Sequence, residues 1–326
     1  MEPLPSGANF IRAAMLWETA LPIAGNPNEP YGGNRDVCIM VGSGSGTHFV
    51  PWLRLATGSA ILAKQVAAGD LEMAFINPSG LLTQAYRGVG LFTEPLPLRI
   101  VANYPSWDRF VCMFHPRTGM KWLADIKDRR LPLRISVRED VTHSTRVLVD
   151  QIFASLGFSI DDLTSWGGSL QLVGGPGDKR RLEALDANEV DVVLDEGIRT
   201  WLPRGLAAGY QLLTPEPPVL EAMQALGWRK VTIPPGRYPG LDVEHTCLDF
   251  SGWPLYTSAA LPDDVAYQVC GAIQARAEWI PWDTTCFTGI DQLGRDTDAT
   301  PLDIPLHPGA ERWYREHAGT PPQSAR

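Results

Sequence analysis

The 326-residue chain is most informative at first for what it lacks. No stretch reaches the roughly eighteen consecutive apolar residues that read as a membrane-crossing helix, so no direct membrane insertion is expected. The opening MEPLPSGANFIRAAMLWETALPIAGNP has no basic region, no clean apolar run and no small-residue cleavage site. As written, the chain therefore reads as cytoplasmic, and as periplasmic if its start is truncated or misassigned. Cysteine is scarce: Cys38, Cys112, Cys247, Cys270 and Cys286 form an odd set without a CxxC pair, which argues against a disulfide framework and a zinc ribbon. The six histidines never fall at HxxxH or HExxH spacing, and no metal is expected. Basic side chains are outnumbered 28 to 37, and a net charge of −9 offers no field to gather phosphate backbones, so nucleic acid is not an expected partner. A nucleophile elbow GxSxG is missing, since Gly42 to Gly46 carries glycine where serine would stand.

What is present is a globular composition, 44% hydrophobic and 20% charged, with length enough for two lobes. Strand-like and helix-like pieces alternate, the pattern of an α/β protein with helices on mostly parallel sheets. Asp36 to Val41 reads as a first strand, ended by the glycine-rich GSGSGTH. A short helix follows, with Ile61, Leu62, Val66 and Ala67 on one face and Gly69 stopping it. Met73 to Ile76 is strand-like and ends in Asn77, Pro78 and Ser79. LRIVANY from Leu98, then RFVCMFH, read as extended crossings between lobes, and Lys121 to Asp128 as helical. The second lobe continues with strands at Leu133 to Val137, Leu170 to Val173 and Val190 to Leu194. A helix spans Thr142 to Leu156 and another is led by Asp178. Thr246 to Ser258 is extended, and Pro262 opens a helix through Ala277 that returns to the first lobe. The expected division is 1–107 and 251–326 for lobe one and 108–250 for lobe two. No repeat of fixed period is found.

Two loops carry candidate chemistry. GSGSGT follows a first strand, as phosphate loops do, but Thr47 stands where a dinucleotide fingerprint needs glycine, and there is no GK[ST] ending. No cofactor is expected. Its glycines still let backbone approach a ligand, and amides entering a helix suit an anion; an ordinary tight turn is the alternative. The second loop opens the Thr142 helix, where the hydroxyls of Thr142, Ser144 and Thr145, with Arg146, meet a positive dipole end suited to a carboxylate. Simple capping, with Arg146 toward solvent or a neighbouring acid, is the alternative there.

Several stretches together resemble the solute receptors of the TAXI branch of tripartite ATP-independent (TRAP) transporters. They are VGSGSGTHF, AAGDLEMAFINPS at 67–79, IPPGRYPG at 233–240, ALPDDVAYQV at 260–269 and, most telling, PLHPGAERWYRE at 305–316. Their order matches that family, and the likeness runs from about Val41 to Glu316. It implies a two-lobed type II periplasmic-binding-protein fold with a cleft between lobes, closing on a small organic anion such as a carboxylate, and a TRAP permease in the membrane as partner. Carried onto this sequence, it implies Ser43, Gly44, Thr47, His48, Asn77 and Ser79 as ligand-binding on one jaw. Thr142, His143, Ser144, Thr145 and Arg146 would form the other, with Asp195 and Glu196 binding an amine or hydroxyl or excluding a wrong acid. His48 and His143 would donate to the ligand if protonated by its charge. The stretch from Gly46 to Asp70 is shorter than the family usually carries, and THST replaces a glycine-serine-glycine-threonine run, which implies a different ligand. The same superfamily holds intracellular enzymes, dihydroxyphthalate decarboxylases and thiamin-pyrimidine synthases. In the decarboxylase-like alternative the cleft takes an aromatic carboxylate, with His48 or His143 as general acid or base near neutral pH.

Overall fold

The computed structural model of the chain describes residues 38–42, 52–57, 60 and 62–317. The first half runs β1 (Cys38–Gly42), β2 (Trp52–Thr57), α1 (Leu62–Ala68), β3 (Met73–Phe75), α2 (Ser79–Arg87), β4 (Leu98–Tyr104), β5 (Arg109–Phe114), α3 (Asp125–Asp128), β6 (Arg134–Arg138) and α4 (Ser144–Ser155). Next come α5 (Ile160–Ser165), β7 (Ser169–Val173), α6 (Lys179–Asp186), β8 (Val192–Asp195), α7 (Ile198–Ala207), β9 (Gln211–Leu213) and α8 (Pro217–Ala225). The chain closes with β10 (Lys230–Ile233), β11 (His245–Asp249), β12 (Trp253–Ser258), α9 (Asp263–Ala275) and α10 (Pro308–His317). None of these helices is long and apolar enough to cross a membrane.

The fold class is α/β, and the described residues form two units. Unit 1 takes those up to Leu82, Leu96–Ser106 and those from Gly252; unit 2 takes Thr83–Pro95 and Trp107–Ser251. The expectation of mostly parallel sheets is corrected. Only β2 with β3, β6 with β7 and β6 with β8 pair in parallel among the described strands, and the other pairs are antiparallel. The reason lies in the connections. Strands joined by a helical crossover come back parallel, whereas β4, β5, β11 and β12 enter or leave their units without one and lie against the crossover strands in reverse.

Unit 1 carries a five-stranded sheet in the order β1-β2-β3-β12-β4. Its core gathers Val101, Leu255, Val265, Ala266, Cys270, Ala310 and Trp313, so α9 and α10 bury their apolar stripes on β4 and β12. The PLHPGAERWYRE stretch spans the lead-in and nearly all of α10. His307 Nδ1 accepts from the Gly309 amide (3.2 Å), Nε2 faces the Leu261 carbonyl (2.9 Å), and Pro308 occupies the first turn, where its missing N–H costs nothing. A Cβ on Gly309 would overlap the backbone of Asp263 in α9, so glycine is required there by packing.

Unit 2 carries the sheet β10-β11-β5-β8-β6-β7, with β9 also on β5. From β6 the chain passes through α4 and α5 to β7 on one side. It then returns through α6 to β8 on the other side of β6. The order therefore reverses at β6/β8, and in open α/β sheets the crevice beyond the carboxyl ends of strands at such a reversal is where ligands bind.

Candidate functional site

At that reversal the strand ends are charged: β6 ends in Arg138 and β8 in Asp195, followed by Glu196. All three side chains are buried. Arg138 Nε lies 2.9 Å from both Asp195 oxygens, its Nη2 donates to Glu196 Oε1, and its Nη1 donates to the Gly174 carbonyl (3.2 Å). Arg181, from α6, donates to Asp195 from Nη1 and to Ser136 Oγ from Nε (3.0 Å). Burial alone would push the Asp195 carboxyl up, but the two guanidiniums outweigh it and hold it below the usual carboxylate range. Glu196 goes the other way. Burial, then the nearby Asp108 and Asp195 charges, raise it well above the ordinary value against the pull of Arg138.

Three helices begin at this edge, and each start is capped differently. Asp178 caps α6 by accepting from the Arg180 amide (2.9 Å), and its bonds to Arg180 take its carboxyl down to about 2. α7 begins after Gly197, whose φ of 64° suits glycine, and has no cap of its own. Asp108, from the entry to β5, supplies one: its Oδ2 accepts from the Gly197 amide (2.8 Å) and it also accepts from the Ile198 amide. Only α4 of the three starts on a neutral cap, the Nδ1 of His143 accepting from the Thr145 amide at 3.2 Å. Burial first and Arg138 second take that imidazole down to about 4. The ring is neutral, with its proton on Nε2, and a dipole end of about half a positive charge keeps no formal counter-charge on its cap.

Beside this start lie groups with bonding capacity to spare. Thr145 is fully buried and its Oγ1 has no partner. Arg146, also buried, donates from Nη1 to the Arg138 carbonyl (3.0 Å), while its Nε has none. Its Nη2 stands 4.0 Å from the exposed Asp150 carboxylate one turn on. Buried polar groups left unmatched are expensive, and these two lie at a helix start that favours negative charge.

The structure brings His143, Ser144, Thr145, Arg146 and Glu196 to one sheet edge, and corrects several of the expected roles. Burial beside Arg138 takes the His143 imidazole down to about 4, so without a bound anion it does not carry the proton expected of it. Arg146 does not point to solvent. Glu196 accepts from Arg138, and burial with the nearby acids raises its carboxyl well above the ordinary value. Thr142 is exposed and bonds locally, its amide and Oγ1 both donating to Asp140 Oδ1 (2.8 and 2.7 Å). In unit 1, Ser79 opens α2 and is buried; its Oγ accepts from Asn103 Nδ2 (3.3 Å), which also donates to the Pro301 carbonyl (2.9 Å), while Asn77 precedes it after β3. Gly252 packs so closely on this pair that a Cβ would lie 2.6 Å from Ser79 Oγ. Ser43, Gly44, Thr47 and His48 lie outside the described residues. Arg138, Arg181 and Asp108 were not expected. Arg138 alone left a trace in the sequence, a basic residue closing the strand-like LPLRISVR before the candidate loop. Among the described residues no cluster of His, Cys, Asp and Glu could hold a metal ion.

No family model matches the chain. Among solved structures it is similar to the alkanesulfonate-binding protein SsuA from Xanthomonas axonopodis pv. citri bound to MOPS, at 16% identity over 79% of this chain and 70% of that one, with a TM-score of 0.30. XAC2383 from Xanthomonas citri bound to chloride ion aligns at 11% identity over 79% and 80% of the two chains, with a TM-score of 0.40. The periplasmic aliphatic sulphonate binding protein SsuA from Escherichia coli aligns at 13% identity over 66% of this chain and 55% of that one, with a TM-score of 0.31.

Proposed function

We propose that the chain is a solute-binding protein whose unit 2 takes the carboxylate of a small organic solute at the start of α4. The observation that carries this is the neutral His143 cap flanked by two buried, unmatched groups, Thr145 Oγ1 and Arg146 Nε, while the neighbouring α6 and α7 starts are already neutralised by Asp178 and Asp108. The location agrees with the strand-order reversal at β6/β8. A carboxylate there accepts charge-assisted hydrogen bonds out of water, each contributing about 1.5–3 kcal/mol. The finer reading, a receptor of the TAXI kind serving a tripartite permease, is supported by the stretches from VGSGSGTHF to PLHPGAERWYRE.

The test is a thermal-unfolding panel with acetate, succinate, glutamate and benzoate, monitored in parallel for carbon dioxide. A carboxylate present at about 100 times its dissociation constant should add about 2.7 kcal/mol of stability. Stabilisation by at least one acid without turnover is the expected result. Turnover would move the chain to the decarboxylase-like alternative, and no stabilisation by any acid would remove the proposal.

A further inference from the structure

With a carboxylate at the start of α4, against the buried and unmatched Thr145 Oγ1 and Arg146 Nε, the surrounding side chains decide what the rest of the solute can be. That rim is acidic. Glu139 and Asp140 stand exposed in the loop from β6 to α4, and Asp150 stands exposed one turn beyond Arg146. Asp140 Oδ1 accepts the Thr142 hydroxyl (2.7 Å) and amide (2.8 Å), and the hydroxyl bond above all holds its carboxyl below the ordinary range, as an anion. Asp150 shares a face of α4 with Arg146, and its Oδ1 is 4.0 Å from Arg146 Nη2. Its partial burial raises it, Arg146 pulls it down, and Asp161, in the first turn of α5, raises it further.

The cations of the neighbouring elements are engaged with acids of their own. At the start of α6, Arg180 Nη2 is 2.7 Å from Asp178 and 3.9 Å from Glu139, and Lys179 Nζ is 3.5 Å from Glu183. Asp195 matches the buried Arg138 and Arg181, and Arg138 also donates to Glu196. Arg199, in the first turn of α7, lies within electrostatic reach of Tyr238. One carboxylate of a small solute therefore gains Arg146, while a second negative charge falls in the field of Asp140 and Asp150. Between these acids the loop exposes an apolar side chain, Val141.

Resting on the anion-site reading above, we propose that Asp150 and Asp140 make the α4 start selective for monocarboxylates with an uncharged body and turn dicarboxylates away. Both act as specificity residues. Neither donates a bond to the solute, and each raises the cost of a second negative charge beside the first.

3-Nitrobenzoate and isophthalate separate charge from shape, since nitro and carboxylate groups are both planar and similar in size. At about pH 8 the first acid carries one negative charge and the second two. Each is titrated calorimetrically into the wild type and Asp150→Asn, in about 20 mM and about 500 mM salt. In low salt the wild type should bind 3-nitrobenzoate about 5- to 30-fold more tightly than isophthalate, the effect of one or two like charges several ångströms away in a partly aqueous medium. High salt screens exposed charges and should shrink that ratio, a reading that needs no variant. In low salt Asp150→Asn should lower the ratio by about threefold or more, while both acids bind more tightly because Arg146 loses a competing carboxylate. Equal affinities for the two acids, tighter binding of isophthalate, or a ratio that salt or Asp150→Asn leaves unchanged overturns the proposal and leaves the carboxylate site standing. If neither acid binds the wild type, the reading of the α4 start as a carboxylate site falls, and the proposal with it.

Discussion

Asp195→Ala is expected to destabilise the protein by about 3–5 kcal/mol, the range for removing one partner from a buried ion network. The carboxylate is completely buried and receives both Arg138 and Arg181, and a methyl group in its place leaves two guanidiniums inside the sheet edge without a counter-charge. The loss is sharpened because Arg181 Nη2 already lacks a partner, so this guanidinium has no alternative acceptor at hand. Asp195 Oδ1 also accepts the Glu196 amide (2.9 Å), which ties the strand end to the loop. Asp195→Asn keeps the shape but removes the charge, and should retain only part of the stability. Urea denaturation at neutral pH measures both. A loss below about 1 kcal/mol for the alanine variant would mean that water or rearrangement compensates the guanidiniums, and the network would not be the frame of the site.

Arg146→Met is expected to weaken benzoate binding by about 10- to 150-fold, the equivalent of one charge-assisted hydrogen bond. Methionine keeps most of the buried stem, so the packing of α4 changes little while the charge and its donors disappear. Arg146→Lys should recover less than half of the lost binding energy, because an ammonium cannot reach the Arg138 carbonyl and a solute with the fixed fork of a guanidinium. The isotherms for the three proteins decide it. Equal affinities in wild type and Arg146→Met would assign this side chain to the β6–α4 junction alone.

Much of this arrangement was legible in the sequence wherever a signal is local. The helix after Thr142 was marked by hydroxyl residues at its start and by Gly157 at its end, where φ is 75°. The strand before Asp195 is a run of apolar residues closed by acids. Elements whose local signals conflict were missed. In α2, SGLLTQAYR follows Pro78 and contains Gly80, two signals that speak against a helix start there. α7 carries Pro203 within it and holds because Ile198, Trp201 and Leu202 are buried, which is tertiary support that no propensity records. β2, WLRLAT, received no assignment, although its run of apolar residues around Arg54 is strand-like.

The site divides along the same line. Ser144, Thr145 and Arg146 are contiguous, and a helix start with hydroxyls and a guanidinium can be recognised without a fold. Asp108 and Glu196, by contrast, are 88 positions apart, and they meet only because β5 and β8 pair antiparallel with Val111 opposite Asp195. The same pairing sets the buried Glu196 carboxyl near other acids, which together with burial raises it well above its ordinary value. A sequence offers its carboxyl groups as charges, and only the register of distant strands brings them near one another.

The most direct measurement of the central claim is the position of a bound carboxylate. Crystals of the protein grown with 4-bromobenzoate, with data collected at the bromine absorption edge, should place the anomalous peak one ring length from the start of α4, with the carboxylate within hydrogen-bonding distance of Thr145 Oγ1 and Arg146. A carboxylate bound elsewhere on the protein, with Thr145 and Arg146 untouched, would contradict it.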